Sequence, residues 1–118
     1  MDAPPLIRLD KYLKKLKNYL NKSFDGFPSD IIVEKEGDGR SLISGFCLQY
    51  LCLLYKKGKS TEKDLGYPWG SFQDSLLEEG LIKVVGEKDG EKILKINRRE
   101  LKKYKVLYVR PPEDLHRE

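Results

Sequence analysis

The stretch Leu76–Ile96, LLEEGLIKVVGEKDGEKILKI, restricts the fold of this chain more than any other. A helical pattern ends at Gly80, the residue type that adopts a positive φ without steric cost and so closes a helix sharply. Two β-rich runs follow, Leu81–Val85 and Ile93–Ile96, separated by GEKDGEK. The Asp89-Gly90 dipeptide within that spacer is a strong two-residue hairpin turn. A helix, a glycine stop and a hairpin in direct succession must share one core: Leu76 before the stop, Leu81 and Ile82 after it.

The upstream sequence supplies that core. LISGFCLQYLCLLY (Leu42–Tyr55) is apolar on most sides, as a central helix with neighbours all round it would be. Ser41 is placed to cap it, and Lys56, Lys57 and Gly58 to end it. Thr61 and Asp64 have the spacing of a capping box for a short helix, TEKDLG. Tyr67-Pro68-Trp69-Gly70 reads as a turn, and Ser71–Glu79 as a second helix. On that helix Trp69, Phe72, Leu76 and Leu77 gather on one side, and Ser71, Asp74, Ser75 and Glu78 on the other.

Outside this unit, residues 1–8 read as a loose arm and Asp10–Asn21 as an amphipathic helix. Leu9, Leu13, Leu16 and Leu20 recur at steps of three or four, with Tyr12 and Tyr19 beside them. Residues 23–30 are turn material, and Ile31–Val33 is a short strand. EKEGDGRS (34–41) reads as a mobile loop; it lacks the spacing of a phosphate-binding loop. Asn97 and Glu100 fit a capping box before LKKY. Val106–Val109 is a strand or an extended segment, and PPEDLHRE is expected to fray.

A chain of 118 residues suits one domain with one core. Charged residues make up 36% against the roughly 25% usual for globular chains. That Lys/Glu bias, with a single Met and a single His, suits a thermophile's protein. Cys47 and Cys52, five apart, lie about 140° apart on a helix. They neither bridge there nor match zinc spacing, and read as small buried apolar residues. The sequence shows no signal peptide and no apolar stretch near the roughly 20 residues that span a bilayer. The expectation is a soluble, cytoplasmic protein that does not engage a membrane. With one histidine, His116, in the terminal segment, no nucleophile–base set assembles. No enzyme activity, metal or cofactor is therefore expected.

The order of helix, short helix, turn, second helix, LLEEGLI and hairpin resembles winged helix-turn-helix domains. Those often end their recognition helix with a leucine, two or three charged residues and Gly-Leu-Ile, then continue into a β-hairpin wing, here KVVGEKDGEKILKIN. The resemblance covers about residues 41–97. It implies a single domain over 1–118, α+β but mainly helical. Its winged-helix core would span about 41–97, with a basic N-terminal helix over about 9–22 and a basic C-terminal helix and tail over about 98–118. It also implies binding of double-stranded DNA, as a transcription regulator or DNA-associated factor.

Charge complicates that implication. Residues 60–80 hold one lysine, Lys63, against Glu62, Asp64, Asp74, Glu78 and Glu79. Positive charge lies in RRELKKYK (98–105), in the wing, and in the N-terminal segment with Arg8, Lys11, Lys14, Lys15, Lys17 and Lys22. On the DNA reading, Ser71, Gln73 and Ser75 would meet base edges. Lys63, Lys83, Lys88, Lys92, Arg98, Arg99 and the first-helix lysines would grip phosphates. The alternative is a protein-interaction module of a replication, transcription or segregation assembly. Its acidic second helix would dock on a basic partner, with Tyr67 and Trp69 either anchoring the contact or packing in the core. A homodimer is a further expectation, its seam at the first helix with Tyr12 and Tyr19 or at the VLYV segment.

Overall fold

The run YKVLYVR is the strand on which half of the chain is organised. It forms β7 (Tyr104–Arg110), with Tyr104 and Val106 buried and Lys105 between them exposed. β7 pairs antiparallel with β1 (Ile7–Arg8) on one side and with β2 (Asp30–Lys35) on the other. β2 pairs in turn with β3 (Gly39–Ser44), giving a four-stranded sheet of order β1-β7-β2-β3. The computed structural model of the chain describes residues 7–16, 28–65 and 69–110.

This sheet overturns the expectation of a mainly helical protein. Among the described residues there are four helices and two antiparallel sheets, and helix and strand each take up about 41%. The class is α+β. EKEGDGRS is the clearest correction: it lies in the hairpin of β2 and β3, with Gly37 and Gly39 at φ +76° and +86°. The core helix α2 (Gly45–Lys57) consequently starts later than the sequence suggests. Leu42 and Ile43 belong to β3, where Leu42 stands opposite Ile32 and Ile43 opposite Ile31. Ser44, not Ser41, is the cap, its Oγ accepting from the Cys47 N–H at 3.2 Å. Gly45 is required at this junction: a Cβ there would lie 2.6 Å from the Ser29 carbonyl oxygen.

α2 contacts both sheets and carries the centre of the core, with Leu48, Tyr50, Leu51, Cys52 and Leu54 buried. Against it pack Leu9, Leu13 and Leu16 of α1 (Leu9–Leu16), the apolar side that the leucine spacing marks out. The remainder of the helix expected over 10–21, with Lys17, Tyr19 and Leu20, lies outside the described residues, as does Lys22. So do Tyr67 and the terminal segment with His116.

The second sheet has the order β4-β6-β5. β4 (Lys59–Thr61) follows α2, and a single 3₁₀ turn at Lys63–Leu65 stands where a short α-helix is expected. Thr61 still caps it, its Oγ1 accepting from the Asp64 N–H at 3.2 Å. α3 (Gly70–Glu78) then runs to the glycine stop. Gly80 has φ +79°; its N–H donates to the Leu77 carbonyl at 3.1 Å, and the Leu81 N–H to the Leu76 carbonyl at 3.0 Å. That pair of bonds, with buried Leu76 and Leu81 at its ends, is a Schellman closure. β5 (Ile82–Lys88) and β6 (Glu91–Ile96) meet at Asp89-Gly90, whose φ values of +53° and +81° are those of a type I′ turn.

α4 (Arg98–Leu101) joins the two sheets, its N-terminus capped by Asn97 Oδ1 accepting from the Glu100 N–H. The Glu100 carboxylate does not complete a capping box. It pairs with Lys35 at 2.8 Å and Lys103 at 3.3 Å, fastening α4 to β2. Among the described residues no helix is long and apolar enough to cross a membrane.

Candidate nucleic-acid interface

Sheet geometry decides which cations meet. Residues directly opposite each other on paired strands project from the same face, and neighbours along a strand alternate. In the three-stranded sheet Ser60, Ile82, Leu94 and Ile96 are buried against the helices. Lys83 stands opposite Lys95, and Lys95 opposite Lys59, all on the other face and all exposed. Three lysines thus form one row across three strands. Like charges directly opposite are unfavourable in a sheet, so a row of this kind gains from an anion laid over it.

The row continues into α4. Lys83, Lys95, Asn97, Arg98 and Arg99 line an open cleft of about 500 Å³, together with Ile96 and with no acidic residue. No ion pair among the described residues engages Lys59, Lys83, Lys95 or Arg99. Arg98 is steadied by stacking 4.8 Å over the Tyr55 ring, which leaves its charge in place. The positive charge of a cleft walled by lysines and arginines is complementary to a phosphate or another anion, with arginine adding planar, two-pronged donors.

The phosphate-contact residues expected from the sequence therefore divide. Lys83, Arg98 and Arg99 come together. Lys88 stands opposite Glu91 and Lys92 opposite Glu87, so each lysine of the hairpin tip faces an acid. Lys92 also lies on the helix-facing side of the sheet, by alternation from Leu94. Lys63 is exposed, but its own backbone N–H donates to Glu91 Oε1 at 3.1 Å, setting it beside an acid. Lys59 and Lys95 escape a reading of the sequence, because only the register of β6 on β5 places Lys95 beside Lys83, and only that of β4 on β6 adds Lys59 to the row.

The expected base-reading residues divide as well. Ser71 and Ser75 are exposed on α3, one turn apart, with exposed Asp74 and Glu78 on the same face. Gln73 is not a reader. It is 4% exposed; its Oε1 accepts from the buried Tyr50 hydroxyl at 3.0 Å and its Nε2 donates to Glu62 Oε2 at 2.6 Å. Both ends of the amide are occupied within the fold. Burial, with Glu62 nearby, pushes the Tyr50 hydroxyl's pKa well up, so it remains a donor at every physiological pH. Trp69 is likewise no surface anchor: it is 7% exposed, with its ring edge-on to Tyr50 at 5.5 Å.

The C-terminal end of α3 lies beside the four-stranded sheet. Glu78 and Glu79 line a second cleft, of about 310 Å³, together with Lys35, Asp38, Arg40 and Tyr104 of the four-stranded sheet. This cleft mixes both signs of charge and offers no single class of ion a site. Among the described residues no group of three or more His, Cys, Asp or Glu side chains is placed to hold a metal ion. Comparison with protein-family models, with curated proteins and with solved structures returns no match.

Proposed function

We propose that this protein binds double-stranded DNA, as a transcription regulator or DNA-associated factor, gripping phosphates with lysines and arginines of the hairpin and the segment that follows it. The observation that carries the reading is the acid-free cleft of Lys83, Lys95, Arg98 and Arg99, continued across the sheet by Lys59. The resemblance to winged helix-turn-helix domains adds support. Of the features it rests on, α3, the Gly80 closure and the β5–β6 hairpin follow one another as expected, while a single 3₁₀ turn stands in place of the short helix.

A second reading has its own support. The exposed face of α3 offers Asp74 and Glu78 beside Ser71 and Ser75, with no cation on the helix. Such a face suits a basic protein partner in a replication, transcription or segregation assembly better than phosphate.

A gel-shift titration with random duplex at roughly 50 and 200 mM salt separates the two. DNA binding predicts micromolar affinity at the lower salt and steep weakening at the higher. The Lys83→Gln/Lys95→Gln variant should weaken binding to all sequences alike. Absence of a shift at low salt rejects the DNA reading and leaves docking through α3.

A further inference from the structure

The cationic surface does not stop at the cleft. Arg8, in β1, donates from Nη1 to the Lys102 carbonyl at 2.7 Å. This contact holds a guanidinium against the end of α4, whose first two residues line the cleft. Arg8 also stands directly opposite Lys105 in the β1–β7 pairing, so both project from one face of the four-stranded sheet. Arg8, Lys102 and Lys105 are all exposed. Lys105 faces Glu34 on β2, and Glu34 faces Arg40 on β3, so one acid stands among three cations in that row.

α3 lies off this path. It packs on α2, which also contacts β4 and β6, whereas Lys59, Lys83 and Lys95 project from the face opposite the buried Leu94 and Ile96. The one amide expected to read bases is consumed inside the fold, and the two exposed serines are flanked by acids that repel phosphate. Phosphate contacts fix position without reporting sequence.

We infer that the site, on the DNA-binding reading above, is a track for a nucleic-acid backbone running from Lys95 and Lys83 over Arg99 and Lys102 to Arg8 and Lys105, and that α3 does not read the bases. The ligand class is duplex DNA irrespective of sequence, which makes the protein a general DNA-associated factor in place of a site-specific regulator.

The test is fluorescence anisotropy of the full chain on several unrelated duplexes of about twenty base pairs, across a salt series. The affinities should agree within about threefold. Lys102→Gln/Lys105→Gln should flatten the dependence of log affinity on log salt by about 2, at about 0.9 per lost phosphate contact. Ser71→Ala/Ser75→Ala should change neither quantity, and circular dichroism checks that each variant is folded. An unchanged slope in Lys102→Gln/Lys105→Gln overturns the track. A tenfold or greater preference among duplexes that Ser71→Ala/Ser75→Ala erases overturns the absence of base reading. Either result leaves DNA binding standing if Lys83→Gln/Lys95→Gln still weakens it, whereas no binding by the unaltered protein at low salt overturns both.

Discussion

Replacing Gln73 with alanine discriminates between a residue that reads DNA and one that holds the fold. Its side chain is 4% exposed and joins the Tyr50 hydroxyl, itself on a fully buried residue, to Glu62. Truncation leaves the Tyr50 hydroxyl without its partner, which costs about 1–3 kcal/mol. The hole left by the missing side chain adds roughly 1–2 kcal/mol, below the range for large apolar truncations because Glu62 is exposed and free to relax. A total of about 3 kcal/mol is a substantial share of the 5–15 kcal/mol by which domains are stable. At about 4 °C per kcal/mol for a chain of this size, Tm should fall by roughly 12 °C. Thermal and urea unfolding measure this directly. Tyr50→Phe should cost less, about 1 kcal/mol, and the double variant should show coupling because the two residues share one hydrogen bond. DNA affinity, measured well below the variant's Tm, should be unchanged. The reasoning is refuted if Gln73→Ala unfolds within about 2 °C of the parent while its preference among DNA sequences changes.

Three further outcomes follow from particular contacts. The Lys35 and Lys103 ammonium groups, Lys35 first, hold the Glu100 carboxyl below its usual value of 4.5. A depressed folded-state pKa stabilises the fold above 4.5, and that stabilisation is lost as pH falls through the folded value. Glu100→Gln should therefore be less stable than the parent at neutral pH, with the gap closing in acid, as urea midpoints at pH 7 and roughly pH 3 would report. Gly45→Ala forces a Cβ to 2.6 Å from the Ser29 carbonyl oxygen, a backbone atom that moves only with its strand. It should cost about 1–3 kcal/mol in chemical denaturation, whereas Gly70→Ala, at the start of α3 with nothing within reach, should be neutral or slightly stabilising. Burial pushes the Cys52 thiol up to about 12, so iodoacetamide at roughly pH 8 should leave it unmodified in the native protein and alkylate it in urea, as mass spectrometry would show.

Features set within a few residues of chain were legible in the sequence. Asp89-Gly90 forms its turn because both residues tolerate positive φ. Gly80 closes α3, and Asn97 caps α4 through its own side chain. The leucine spacing of α1 marks its buried side. Each of these depends on local sterics or on one short-range hydrogen bond, so no distant partner is needed to decide it. The same holds for the concentration of positive charge in the hairpin and in RRELKKYK.

Pairing between distant segments decided the rest. Gly39–Ser44 is a strand only because β2 lies beside it, and that pairing moves the start of α2 from Leu42 to Gly45. Tyr104–Arg110 has apolar alternation but becomes an inner strand because β1 and β2 both reach it from far along the chain. Gln73 has the composition of a DNA-reading residue; its burial follows from Tyr50 meeting it across the α2–α3 contact. The lysines of the hairpin are alike in sequence, yet register assigns them to different faces. The pairing of β5 and β6 shifts between Val84 and Gly86, which settles which tip residues share a side with Lys83. Side-chain direction in a sheet has a period of two, so a single residue of shift exchanges the faces. Sequence alone determined that this protein is cationic and where along the chain the charge lies; the tertiary structure determined which of those charges share one face, because only strand register brings Lys59, Lys83 and Lys95 into one row.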